Sequence, residues 1–248
     1  MKRLGVLLLV LVTGLLTGFS KDDLRQEMVK LDKAYIAALA LTSQGKVAES
    51  RKSMEILAGS WKGFKDRYYN ANPGDAHWKK DLDAADHMIA EASHIVVSDR
   101  KVTDAHEALE EMRMVMMKLR ERNGIEYFVD HLTAFHEPME AIVLAAKDKT
   151  PEMLSDADIQ RIRATLPEAE ELWKRVMAGD LDGPTYALEA GQLERARKLM
   201  QIEQQALATL KSALAAGDKS AIIKAAVGVK PNFAALFMTF GDFAPFKS

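Results

Sequence analysis

The chain has 248 residues, 48% of them hydrophobic and 28% charged, with 34 basic and 36 acidic side chains and no cysteine. That length and mixture suit one large or two small globular domains and exclude a disordered, collagenous or fibrous chain. Without cysteine there is no disulfide framework, zinc–thiolate site, iron–sulfur cluster, covalently attached haem or cysteine nucleophile.

Lys2 and Arg3 precede an apolar run from Leu4 to Leu16, and Thr17, Gly18 and Ser20 follow. This layout predicts a secretory signal over residues 1–20, cleaved after Ser20. At about 13 residues the apolar run is too short to span a bilayer comfortably. Leu16, Thr17, Gly18, Phe19 and Ser20 also resemble a lipoprotein signal, with Phe19 where the lipidated cysteine would stand. The expected location is the periplasm. Without the two cations of the signal the chain carries a net −4, which gives no general attraction for nucleic acid. No later segment approaches 18 uncharged apolar residues, so no transmembrane span is expected in the mature chain.

Beyond the signal the hydrophobic pattern is helical. Leu24, Met28, Leu31, Tyr35 and Ala38 recur at spacings of three and four, as do Trp78, Leu82, Ala85, Ile89, Ala92 and Val96. Breaks near residues 44–46, 70–75, 98–101, 123–124, 147–151, 179–184 and 215–219 predict eight helices of about 20–30 residues. The expected end signals are Gly179 and Gly217 as C-terminal caps, Thr150-Pro151 and Gly183-Pro184 as starts, and Asp104 with Glu107 as a capping box. The segment around Trp61 resembles that around Trp173, and the turn at 98–101 resembles that at 217–220. The expected fold is therefore all-α: two tandem antiparallel four-helix bundles over residues 21–123 and 124–248, related by an internal duplication.

The six histidines all lie between His77 and His136, and three have a glutamate four residues on: His87/Glu91, His106/Glu110 and His136/Glu140. Such spacing puts both side chains on one helix face, where they can chelate an ion or simply stabilise a solvated helix. Facing separates them. His87 and His94 point away from the apolar stripe of their helix, whereas His106 and His136 flank the stripes of theirs. Glu91 and His94 match the Glu-x-x-His element of di-iron bundles, but no second copy is present. If Asn123-Gly124 is a tight turn between antiparallel helices, opposed positions sum to about 247. His106, Glu110, His136 and Glu140 then fall within about one turn of each other, a donor set for Fe, Mn, Zn or Cu. Arg113, one turn from Glu110, is the charge partner that would make this a salt-bridged seam instead. Pro138 inside the next helix removes a backbone donor and frees the carbonyl of Ala134.

Met112, Met114, Met116 and Met117 resemble the thioether-rich stretches of periplasmic copper carriers, yet Met112 and Met116 hold core positions. Non-covalent haem is disfavoured, because Met28 and His106 sit at opposite ends of the first bundle. There is no Gly-rich phosphate loop, Gly-x-Ser-x-Gly elbow or His-Glu-x-x-His motif, so no enzyme is expected. Asp180, Asp182 and Gly183 give half a calcium loop at most. The expectation is a periplasmic protein binding a transition metal or metallocofactor through His106, Glu110, His136 and Glu140. The alternative is a non-catalytic interaction or scaffold protein with a cell-envelope protein partner and no metal. The sequence does not fix an oligomeric state.

Overall fold

The computed structural model of the chain describes residues 20–98 and 101–246. The expected secretory signal lies outside the described residues except for Ser20, as do Asp99 and Arg100 of the turn at 98–101. Among the described residues all regular structure is helical: α1 (Lys21–Ser43), α2 (Val47–Tyr68), α3 (Trp78–Val97), α4 (Thr103–Arg122), α5 (Phe128–Ala146), α6 (Asp156–Ala178), α7 (Gly183–Tyr186), α8 (Ala190–Ala216), α9 (Lys219–Met238) and a final 3₁₀ turn (Ala244–Phe246).

Local chemistry sets most helix ends. Ser20 accepts from the Asp23 N–H, Asp218 accepts from the N–H groups of Ser220 and Ala221, and Ser155 forms a capping box with Asp158. Gly217 closes α8 in the left-handed conformation that a side chain would resist. Two expected starts differ. Val102 precedes α4 without a side-chain cap, and Asp104 lies inside its first turn. Thr150-Pro151 lies in a turn, and α6 begins only after Ser155, whose hydroxyl accepts from the Asp158 N–H. Pro138, Pro167 and Pro231 all lie inside helices that continue through them.

Neighbouring helices pair in two closed circuits. In the first, α1 lies against α2 and α4, and α3 lies against the same two; in the second, α5 lies against α6 and α9, and α8 lies against the same two. The one-turn α7 is an added connector that touches α1. Trp61 on α2 donates to Asp86 on α3 at 2.7 Å, and Trp173 on α6 donates to the Met200 carbonyl on α8 at 3.2 Å. Among the described residues α9 alone is long and apolar enough to cross a membrane by length and composition. It carries Lys224 and Lys230 and buries Ile222, Ala226, Val229, Phe233, Leu236 and Phe237 against its neighbours.

α1 departs from a one-sided amphipathic helix, since Ala34 to Leu39 are buried without interruption. It touches α2 and α4 in its own circuit, and also α7 and α9. The chain after α9 returns to it: the Asp242 N–H donates to the Lys33 carbonyl at 2.9 Å, and a Cβ at Gly241 would stand 2.9 Å from Ile36 Cγ2.

A charged cluster holds the α4–α5 junction. Arg120 on α4 donates through Nε to Asp130 Oδ2 at 2.8 Å and through Nη2 to Oδ1 at 2.5 Å, and Arg120 is only 3% exposed. Its guanidinium lies 4.4 Å from the Tyr127 ring, and the Tyr127 hydroxyl donates to Asp32 on α1 at 2.7 Å. Burial pushes the Asp32 carboxyl up to about 6, although Arg120 and Tyr127 both favour its charged form. Elsewhere Glu203 on α8 is fully buried. Burial raises it to about 8, opposed only by Asn232 of α9.

Two stability predictions follow from these buried charges. Asp130→Asn leaves the buried Arg120 without its hydrogen-bonded carboxylate, with only the more distant Asp32 as counter-charge, so denaturant unfolding is expected to show a loss of about 3–5 kcal/mol. The Arg120→Met/Asp130→Leu double variant recovers most of that loss; equal losses in both would refute the account. Glu203 is protonated in the folded chain up to about pH 8 but ionises in the unfolded chain above about 4.5. Stability linked to it is complete below about pH 4.5 and falls as pH rises towards 8. Thermal melts of Glu203→Gln are expected to lose this slope, and Glu203→Met is expected to melt higher than the parent at pH 8.

Candidate metal centre

The turn after α4 is tight. Asn123 ends the helix, its side-chain amide donates to the Leu119 carbonyl at 2.7 Å, and Gly124 takes φ +59°. The chain then reverses into α5. α4 and α5 touch only lightly along their length, because α5 lies mainly against α6 and α9. Three of the four residues singled out in the sequence nevertheless meet at this light contact.

Glu110 is the centre of the cluster. Its Oε1 lies 3.4 Å from His106 Nε2, its Oε2 lies 3.8 Å from His136 Nδ1, and the same Oε2 takes a hydrogen bond from Arg113. His106 is held from its other side, where Nδ1 faces the Leu39 carbonyl of α1 at 3.1 Å. A carbonyl only accepts, so Nδ1 carries the hydrogen, and Nε2 is the nitrogen that faces Glu110. Burial pushes His136 down to about 3, reinforced by Arg113, Lys230 and His106, which keeps its ring neutral. The Phe233 ring lies 5.7 Å from it. Below the cluster the Tyr35 hydroxyl donates to the Leu109 carbonyl at 2.8 Å, and burial raises that phenol further above its ordinary range.

Glu140 does not join. Its carboxylate takes Lys230 of α9 at 2.8 and 3.0 Å, an exchange the sequence did not reveal because Lys230 lies on another helix. Arg113, only 5% exposed, stacks its guanidinium 5.5 Å from the Phe237 ring of α9. Among the described residues no group of three or more histidine, aspartate and glutamate side chains stands ready to hold a metal ion. His87, Glu91 and His94 are exposed on α3, as their facing predicts. Met112, Met116 and Met117 are buried.

A cavity of about 560 Å³ opens one turn away, between the α4–α5 connection, the end of α6 and α7. His131, Arg175, Arg25 and Tyr186 line it. Gly179 lets α6 approach α5 here, since a Cβ would stand 3.0 Å from the His131 ring.

The Glu140–Lys230 pair is half exposed on its lysine side, at 48%. Lys230→Ala is therefore expected to change unfolding stability by less than about 1 kcal/mol. A larger loss in denaturant titration would show that the pair is shielded from solvent. No protein-family model matches the chain, and neither does any curated protein or solved structure with which it was compared.

Proposed function

We propose that this is an exported, non-catalytic helical protein of the periplasm that holds one transition-metal ion between α4 and α5. Its protein ligands are His106 Nε2, Glu110 and His136 Nδ1. Glu140 stands outside this set while Lys230 holds it. One observation carries the reading: opposite oxygens of one carboxylate face two imidazole nitrogens at 3.4 and 3.8 Å, from helices of different circuits. The hydrogen bond from His106 Nδ1 to the Leu39 carbonyl is the outer contact that usually fixes a metal-binding histidine. Two imidazoles and a carboxylate suit Zn, Fe, Mn or Cu rather than a hard ion such as calcium. For the ion to enter, the side chains must close on a point that Glu110 now shares with Arg113. The like placement of Trp61 and Trp173, each in the second helix of its circuit and bonded towards the third, supports an origin by duplication.

A second reading rests on the two ion pairs. Glu110 with Arg113 and Glu140 with Lys230 join α4, α5 and α9 without any ion, as a clasp in a protein that binds an envelope partner. Elemental analysis separates the two. The mature chain, equilibrated with Zn(II) and then dialysed, is expected to retain a stoichiometric ion, and the His106→Ala/His136→Ala variant to lose it while keeping its helical circular dichroism. Equally low metal in both proteins would remove the metal reading and leave the clasp.

A further inference from the structure

We propose that the cavity between the α4–α5 connection, the end of α6 and α7 binds a small organic acid, its carboxylate on the Arg25 guanidinium and its apolar body against Phe128. The inference does not depend on a metal between α4 and α5.

The first support is space at a junction. At about 560 Å³ the cavity falls within the range of roughly 300–1,000 Å³ usual for small-molecule sites, which gather where packed units meet. Its walls come from both circuits: Arg25 from α1 of the first, Phe128, His131 and Arg175 from α5 and α6 of the second, and Tyr186 from the connector α7. The end of α6 meets the two rings of α5 with the bare backbone of Gly179, where a Cβ would stand 3.0 Å from His131 and 3.1 Å from Phe128.

The second support is which polar groups are already engaged. Of the carboxylates on the walls, Asp130 holds Arg120 through both oxygens and Asp182 accepts the Thr185 N–H at 2.7 Å, while Glu121, Glu126 and Asp180 are exposed to water. The donors are less fully engaged. Arg25 gives Nη2 to Asp22 at 3.0 Å in a pair open to solvent, and its buried Nε has no hydrogen-bond partner. The Tyr186 oxygen accepts the Phe128 N–H at 2.6 Å. Burial pushes that phenol up to about 12, so it keeps its proton, and Arg25 is near enough to act on it electrostatically. Arg175 and the half-buried His131 make no hydrogen bond to any described residue.

Donors left without acceptors cost free energy that a ligand's acceptor recovers, and a carboxylate gains most from a guanidinium. The exposed acids give no general pull on anions. Affinity therefore comes from Arg25 together with apolar area buried against Phe128, Ala134 and Leu172, which favours an organic acid over an inorganic anion. The same exposed acids make an organic amine the competing cargo.

Isothermal titration calorimetry with 4-phenylbutyrate, octanoate, 4-phenylbutanamide and 4-phenylbutylamine tests this. At least one acid is expected to bind saturably, about tenfold or more tighter than the amide and the amine. Arg25→Met keeps the apolar stem and discards the guanidinium, and is expected to weaken acid binding by about tenfold or more. Ala134→Trp fills the space and is expected to abolish binding with helical circular dichroism intact. Lys174→Gln, which removes an exposed cation paired with Glu171 beside Arg175, is expected to leave binding unchanged. An amine that binds tighter than the acids, acid binding that survives Arg25→Met, or failure of both acids to bind at millimolar concentration overturns the proposal. None of these titrations involves Zn(II), so this site and the metal reading fail separately.

Discussion

The Arg120–Asp130 pair is the constraint from which the arrangement of the two circuits follows. It joins the last turn of α4 to the first turn of α5 across a break of five residues, with both groups out of water. Neither charge can be abandoned without a penalty of several kcal/mol, so the direction in which the chain leaves α4 and enters α5 is fixed. Tyr127 and Asp32 extend the same cluster to α1. One guanidinium therefore serves two carboxyls, and burial weakens the acidity of Asp32, which has no direct hydrogen bond to it. The Glu110 seam lies further along the same two helices, and its meeting with His136 depends on this junction holding its angle.

The two acid–base pairs of the seam are unlike in kind. Lys230 reaches Glu140 over the protein surface, where water screens the charges and either partner can be rehydrated at little cost. Arg113 reaches Glu110 in a nearly dry setting, against the Phe237 ring and beside two imidazoles. Rearranging the first changes little, whereas rearranging the second alters the electrostatics of every group around Glu110. This asymmetry explains why one sequence-adjacent His–Glu pair, His106/Glu110, stays at the centre while the other, His136/Glu140, is divided between two neighbours.

Much of this was legible in the residues. Period-three-and-four spacing marked the long helices, and Asn123-Gly124 carried the chemistry of a tight turn, which is enough to bring Glu110 opposite His136. Periodicity, however, names a face and not its partner. It gave α1 one apolar stripe, while contacts with α7, α9 and the chain beyond α9 bury Ala34 to Leu39 continuously. It could not show that Lys230 would take Glu140, or that Arg120 would find Asp130, because each pair is formed across helices by tertiary placement. Glu203 was invisible for the opposite reason: a glutamate in a polar-looking stretch reads as surface until its neighbours are known. The capping assignments at Asp104 and Thr150 failed by a few residues, where several small polar residues compete to begin the same helix.

The bond from Asp242 to Lys33 has a kinetic consequence. It links positions some 200 residues apart, and Gly241 sits so close to Ile36 that no side chain fits between them. The face of α1 that the end of the chain covers must wait for nearly the whole polypeptide to be present. The first circuit can gather its helices early from local contacts, but it stays incompletely sealed until the segment after α9 docks. Such a distant closure is slow relative to helix formation. The last surface of the first circuit to leave water is thus completed by some of the last residues of the chain.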